Sequence, residues 1–288
     1  MKKRAVILCL GLLVLSGCSG TTFLYNRLNI ILPWMLGDYV DLDREQKSYF
    51  KTELEPFLEW HRMDELPRYA TLLSQMDSVL DDAVTEDEIQ GIVTDFEAAW
   101  LRLETRGLEL LIGLGEQLSD EQMNQFLDAL DEEQESYGEK YLSRSDEEYY
   151  EDARDSFIDT AEDFMGRLSR EQKSLIESGV GALLRSDDIW VQERGAWNER
   201  LAVILQRAPG WQQALRDAVA ARERDISPDY RDTYRHNSAA LQATLVDLMN
   251  SRSAAQDRKL RKKLAGYRED FEELNEQGLR RMARAAAS

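Results

Sequence analysis

An all-α fold, an elongated bundle of about ten helices with no sheet, is predicted by three observations. Only five prolines and 16 glycines occur in 288 residues, and no run alternates polar and apolar positions as a strand would. Leu, Ala, Glu and Arg, all strong helix formers, are abundant, with Gln beside them. Capping-box patterns, in which Ser, Thr or Asp stands three residues before Glu or Gln, recur ahead of helically spaced apolar residues.

The chain opens with Lys2-Lys3-Arg4 and an apolar run from Ala5 to Leu15, then Ser16-Gly17-Cys18, the layout of a secretory signal peptide. The run supplies 11 apolar residues where a membrane span needs about 20, so cleavage is expected rather than retention as an anchor. Leu15-Ser16-Gly17-Cys18 resembles the lipobox of bacterial lipoprotein precursors. That resemblance implies removal of residues 1–17, a diacylglyceryl thioether on Cys18 and fatty acylation, such as palmitate, of the new amino terminus. Each buried methylene then contributes about 0.8 kcal/mol of membrane affinity. Ser19 is similar to the residue that follows the cysteine in lipoproteins sent on to the outer membrane. The expected location is therefore the cell envelope, lipid-anchored on the outer membrane and facing the periplasm.

Residues 18–42 form the juxtamembrane segment. Leu24, Tyr25, Leu28, Ile31, Trp34 and Met35 are its candidate membrane or partner contacts; Leu24, Leu28, Ile31, Leu32, Met35 and Leu36 share a helical face, with Tyr25 and Trp34 at its edges. Two arrangements satisfy this pattern: the segment lies at the lipid interface, or it docks into the protein's own core.

Residues 43–288 are expected to form a single helical domain, with two lobes meeting near residue 187 as the alternative. Asp43, Thr85, Ser119 and Ser169 are the predicted N-caps, and Leu118 with Met123 and Val84 with Ile89 are candidate staples. Helices are predicted near 43–63, 65–83, 86–114, 119–142, 146–167, 169–185, 188–207, 211–225, 228–251 and 255–285. Pro56 is expected to bend or split the first, whereas Pro67 and Pro228 suit first turns. Ile89, Ile92, Val93, Phe96, Trp100, Leu103, Leu110 and Leu114 recur every three or four positions on one helical face. Leu260, Leu264, Tyr267, Phe271 and Leu274 form a coiled-coil-like seam in the last helix. Tryptophans 60, 100, 190, 197 and 211 are expected in the core.

With Cys9 in the leader and Cys18 lipidated, the body has no thiol, which removes disulfides, zinc thiolates and cysteine nucleophiles. Its charge is uneven. Asp41 to Asp188 holds 40 acids and 14 bases, whereas Ile189 to Ser288 holds 14 and 18. An acidic body of this kind excludes nucleic acid as a natural partner and avoids anionic lipid, leaving the acyl chains to hold it at the membrane. The densest acidic stretch, Asp128 to Asp163, reads either as a solvated face or as a field for a cationic partner. His61 and His236 are the sole histidines, too few for a common zinc site without carboxylates. His61 reads as an interhelix packing residue or a general base. No metal, cofactor or catalytic residue is predicted.

The starts Leu42-Asp43-Arg44-Glu45-Gln46, Leu118-Ser119-Asp120-Glu121-Gln122 and Leu168-Ser169-Arg170-Glu171-Gln172 are similar to the Leu-Thr-x-x-Gln motif of periplasmic helical chaperones. They are similar also to starts in the lipase-specific foldases, whose Arg-x-x-Phe-Asp-Tyr motif is absent here. More specific wording runs from Tyr25-Asn26-Arg27-Leu28 and Leu32-Pro33-Trp34 through Tyr39-Val40-Asp41-Leu42-Asp43 to Trp60-His61-Arg62 and Glu65-Leu66-Pro67-Arg68-Tyr69. It resembles a domain-of-unknown-function family of helical lipoproteins from Gram-negative bacteria, which implies a location and no activity. The functional expectation is a non-catalytic binding, adaptor or chaperone-like module with an envelope protein as partner. A cell-wall glycan hydrolase working through paired carboxylates and a purely structural lipoprotein are the alternatives.

Overall fold

The computed structural model describes residues 20–287; the leader and the lipidation position Cys18 lie outside the described residues. The described chain is helical throughout, with no strand. In order the helices are α1 (Gly20–Tyr25), α2 (Leu28–Leu36), α3 (Arg44–Trp60), a π-helical turn (His61–Glu65), α4 (Leu66–Val79), α5 (Glu86–Gln117) and α6 (Asp120–Leu142). Then follow α7 (Asp146–Met165), α8 (Arg170–Gly181), α9 (Asp187–Ile204), α10 (Trp211–Asp225), α11 (Pro228–Asn250) and α12 (Ala254–Ala286).

The predicted starts are formed. Asp43, Ser119 and Ser169 each accept from the backbone N–H three residues on, while the side chain of Gln46, Gln122 or Gln172 returns to the cap's own N–H. Thr85 and Glu88 do the same. Ser145 with Glu148 and Ser253 with Gln256 add two boxes that the sequence reading passed over. Leu118, Met123, Val84 and Ile89 are all buried, as staples require.

The glutamines of two boxes have a second use. Gln46, whose side-chain oxygen accepts from Asp43, donates through its amide nitrogen to the carbonyl of Gln117 at the end of α5 (2.8 Å). Gln172 reaches the carbonyl of Ser251 just past α11 (3.3 Å) and exchanges bonds with Gln256. Each ties the start of one helix to the orphan carbonyls at the end of another. That is a packing role for the leucine-to-glutamine motif.

The chain divides into two compact units. The first holds the described residues up to Ala83 with Gln90–Leu118 and Asp257 onward; the second holds Val84–Ile89 and Ser119–Gln256. Residue 187, the expected meeting point of two lobes, lies inside the second unit, and the charge shift there marks no boundary. In the second unit α6 packs on α9, α8 on α11 and α7 on α8. In the first, Tyr25, Leu66 and Leu274 form a buried cluster flanked by Leu28, Tyr69 and Phe271.

Two expectations for the first unit are corrected. The opening helix does not split at Pro56; α3 runs through it. Pro56 is exposed, so the carbonyl whose bond it removes lies where water can reach it. The break comes at His61–Glu65, where the N–H of Leu66 reaches back five residues to the carbonyl of His61. Pro67 has no N–H to offer the carbonyl of Met63, and Asn275 of α12 supplies donors instead, at 3.1 Å to the Arg62 carbonyl and 3.4 Å to that of Met63. The second correction concerns α5. Phe96 and Trp100 are 53% and 47% exposed, so helical spacing there describes a surface ridge, while Ile89, Ile112 and Leu114 are buried. Of the tryptophans, Trp211 is buried and Trp60, Trp190 and Trp197 are half-buried.

Candidate functional site

The π turn collects three buried polar side chains of the first unit. An extra residue in the turn rotates His61, Arg62 and Glu65 inward together, and all three are buried. Nδ1 of His61 lies 2.8 Å from the Tyr25 hydroxyl. Its ring is enclosed by Tyr25 (centroids 5.6 Å), Tyr69 (5.6 Å) and Trp60 (6.3 Å). Burial pushes His61 down to about 4, with Arg62 adding to the fall and Glu65 opposing it. The imidazole is therefore neutral at ordinary pH. Burial also raises Tyr25 well above the usual phenol range, with Arg62 opposing, and takes Tyr69 up to about 12 with help from Glu65.

Glu65, 1% exposed, receives a two-pronged bond from Arg102 of α5, both contacts 2.8 Å. This fork raises the Arg102 guanidinium further above its ordinary value. Arg62 donates to the carbonyl of Leu274 (3.2 Å) and to Oδ1 of Asn26 (3.0 Å), and its guanidinium lies 4.7 Å from the Tyr25 ring centre. Gly278 of α12 leaves room for these side chains, because a Cβ there would come within 2.8 Å of Arg62 Cδ and 2.7 Å of Met63 Sδ.

The assembly is a seat for the N-terminal segment. Tyr25 and Asn26 plug into it, Asn26 also meets Gln277 (3.1 Å) and Arg281 (3.1 Å), and Thr22 donates to the buried Asp270 (3.4 Å). Burial raises the Asp270 carboxyl, and the threonine hydroxyls partly counter it. Chemically, the arrangement holds a neutral imidazole and a protonated phenol against each other inside an aromatic cage, which suits fixing a helix more than reaching a substrate.

The predicted contact set divides on this seat. Tyr25 and Met35 are buried, so they belong to the protein's interior and not to a membrane or partner face. Leu24, Leu28 and Ile31 are half-buried, and Trp34 is 62% exposed. Phe23 and Ile30, 54% and 65% exposed, were missed because a single helical face was assumed where α1 and α2 break at Asn26. Glu65 and Arg102 were missed as well. An acid four residues after His61, on the side that faces Leu66 and Tyr69, was the available signal. His236 is exposed and bonds the carbonyl of Ala182 at the end of α8 (2.9 Å). Among the described residues no group of three or more His, Cys, Asp or Glu is arranged to hold a metal ion, and no helix is long and apolar enough to cross a membrane.

The model of a family of unknown function, DUF6279, matches residues 38–231, more than half of the chain. The chain belongs to DUF6279. No curated protein and no solved structure matches it. The matched span of this DUF6279 chain includes the π turn, Tyr69 and Arg102, while α1, α2 and α12 lie outside it. Family membership thus carries the inner half of the seat and leaves its occupant to be read from this chain alone.

Proposed function

We propose that this DUF6279 chain is the precursor of a lipid-anchored envelope protein whose helical body is a non-catalytic binding module, of the adaptor or chaperone kind. The lipobox Leu15-Ser16-Gly17-Cys18 supports the anchor, and Ser19 supports the outer membrane facing the periplasm. The observation that carries the binding role is the ridge on α5. Phe96 and Trp100 lie one turn apart, both about half exposed, with Leu101 beside them at 60%. Folding leaves large apolar side chains in water at a cost of about 25 cal/mol per Å², a cost recovered when a partner covers them. The buried ionisable groups nearby are committed to the seat, Glu65 to Arg102 and His61 to Tyr25.

The test is a photo-crosslinking phenylalanine analogue placed at Trp100 of the full chain in living cells, with Leu142 of the second unit as an exposed control. One discrete product specific to position 100 supports an adaptor, and many products supporting a chaperone would show the same dependence on position. No product at 100, or the same products at 142, would remove the binding role. Palmitate incorporation that disappears in Cys18→Ser checks the anchor separately.

A further inference from the structure

The surface that surrounds the seat differs in charge from the rest of the molecule. Residues 20–37 hold Arg27 and no acid, and residues 277–288 hold Arg280, Arg281 and Arg284 and no acid, within a chain of formal charge −19. The fold brings these two stretches together, since Asn26 bonds both Gln277 and Arg281. Exposed apolar side chains stand in the same place. Ile30 and Trp34 lie one turn apart on the outer side of α2, and Phe23 of α1 carries the Arg27 guanidinium 3.4 Å from its ring centre. Arg280 keeps a partner in Glu276 (3.0 Å), whereas Arg27 turns to the carbonyl of Phe23.

We propose that this patch, Phe23, Ile30 and Trp34 with Arg27, Arg281 and Arg284, is a membrane-contact site that rests on the polar interface of a leaflet bearing anionic lipid headgroups. The proposal deepens the lipid-anchor reading and rests on it. Three features select this occupant. Cys18 precedes Gly20 by two residues, and two residues of chain span at most about 7 Å, so acyl chains on Cys18 would bring the bilayer surface to α1. Amphipathic aromatic and long apolar side chains beside arginines are what an interface between headgroups and hydrocarbon accommodates. The two acid-free stretches reduce the repulsion that the acidic body would otherwise bring to anionic lipid. Without this patch the body would swing freely about its anchor; with it, the seat passes the orientation of α1 and α2 directly to the first unit.

The chain provides its own labelling scheme, because Cys9 and Cys18 are its sole cysteines and acylation blocks the second. Ile30→Cys and Trp34→Cys variants of the full lipoprotein, labelled with an environment-sensitive fluorophore, are reconstituted in vesicles of phosphatidylethanolamine and phosphatidylglycerol. Val203→Cys in the second unit, 68% exposed, is the control. Both patch probes are expected to shift to the blue, brighten several-fold and be quenched by brominated lipid, with the control unchanged. The shifts should shrink in phosphatidylcholine alone; equal shifts in both would overturn the role of the arginines. Patch probes as wet as the control, in protein whose Cys18 is shown to be acylated by mass, would overturn the contact site alone. A Cys18 that labels as a free thiol would instead overturn the anchor beneath it.

Discussion

Glu65 in the first unit and Asp187 in the second are both buried carboxylates gripped by an arginine fork, yet their surroundings differ. Glu65 has Arg102 on both oxygens, with the next cation, the exposed Arg68, at 3.8 Å. Asp187 has Arg144 on both oxygens (2.9 and 2.6 Å) and Arg185 at 3.3 Å, and those arginines reach on to Asp152 and Asp146. The Tyr149 ring lies below both guanidiniums, 4.7 and 5.8 Å away. One centre is a closed pair beside a neutral histidine, and the other is a chain of alternating charges open to water. The first should fail when either member is lost, and the second should redistribute.

The largest difference is expected from deleting one arginine in each. Arg102→Ala leaves the Glu65 carboxylate buried without a partner and should cost about 3–5 kcal/mol. Arg185→Ala leaves Asp187 its fork with Arg144 and should cost about 1 kcal/mol. Urea unfolding of the two variants reads the contrast directly, and equal costs would break it.

Acid comes next. His61 is neutral in the folded protein with its value near 4, and in the unfolded chain it takes up a proton near 6.5. Between these values the unfolded state binds more protons, so its contribution to stability is complete above pH 6.5 and is lost as pH falls toward 4. The loss should reach on the order of 3 kcal/mol. Unfolding midpoints at pH 7 and pH 4.5 should therefore converge in His61→Gln relative to the parent.

Two glycines extend the comparison to packing. At Gly179 of α8 a Cβ would lie 2.8 Å from Cβ and 2.7 Å from Cγ2 of Thr244, and would overlap its hydroxyl. These atoms are close to the α11 backbone, so Gly179→Ala should cost about 1–3 kcal/mol by forcing the helices apart. Gly278→Ala meets the more flexible Met63 sulfur and Arg62 stem, and a gain in helix propensity of about 1 kcal/mol offsets much of the strain. Thermal unfolding should rank Gly179→Ala below Gly278→Ala. The smallest effect is expected from Tyr25→Phe, which removes the hydroxyl facing His61 at about 1 kcal/mol. Faster amide exchange confined to α1 and α2 would show that the seat holds this segment.

Helix starts were legible in the sequence because a capping box is local: Asp43 and Gln46, or Ser169 and Gln172, need no other part of the chain to form. Periodicity placed Leu260, Leu264 and Leu274 correctly, since each recurs on the side that α12 buries. The expectation of Trp100 in the core fails, because spacing shows that a face exists and not what covers it. The π turn left no periodic trace. Its cause is Pro67, and its compensation is Asn275, more than two hundred residues away. His61 stood out as one of two histidines, but its partners come from α1, α3 and α4, and the pattern around Tyr25 left open whether that segment faces outward or docks into the core. The division into units was equally hidden, since the chain passes between them at helix starts and inside α5, where no proline marks a break.

That interleaving has a consequence for how the protein is made. The core of the first unit joins Tyr25 and Leu66 to Leu274, so residues near the start wait for residues near the end. The second unit needs little beyond Ser119–Gln256. During synthesis the middle of the chain can close before its beginning, and a product cut short after Gln256 would carry an intact second unit and a first unit with no α12 to close it. Burial of Tyr25 thus depends on α12, since Leu274 supplies one side of the cluster that covers it.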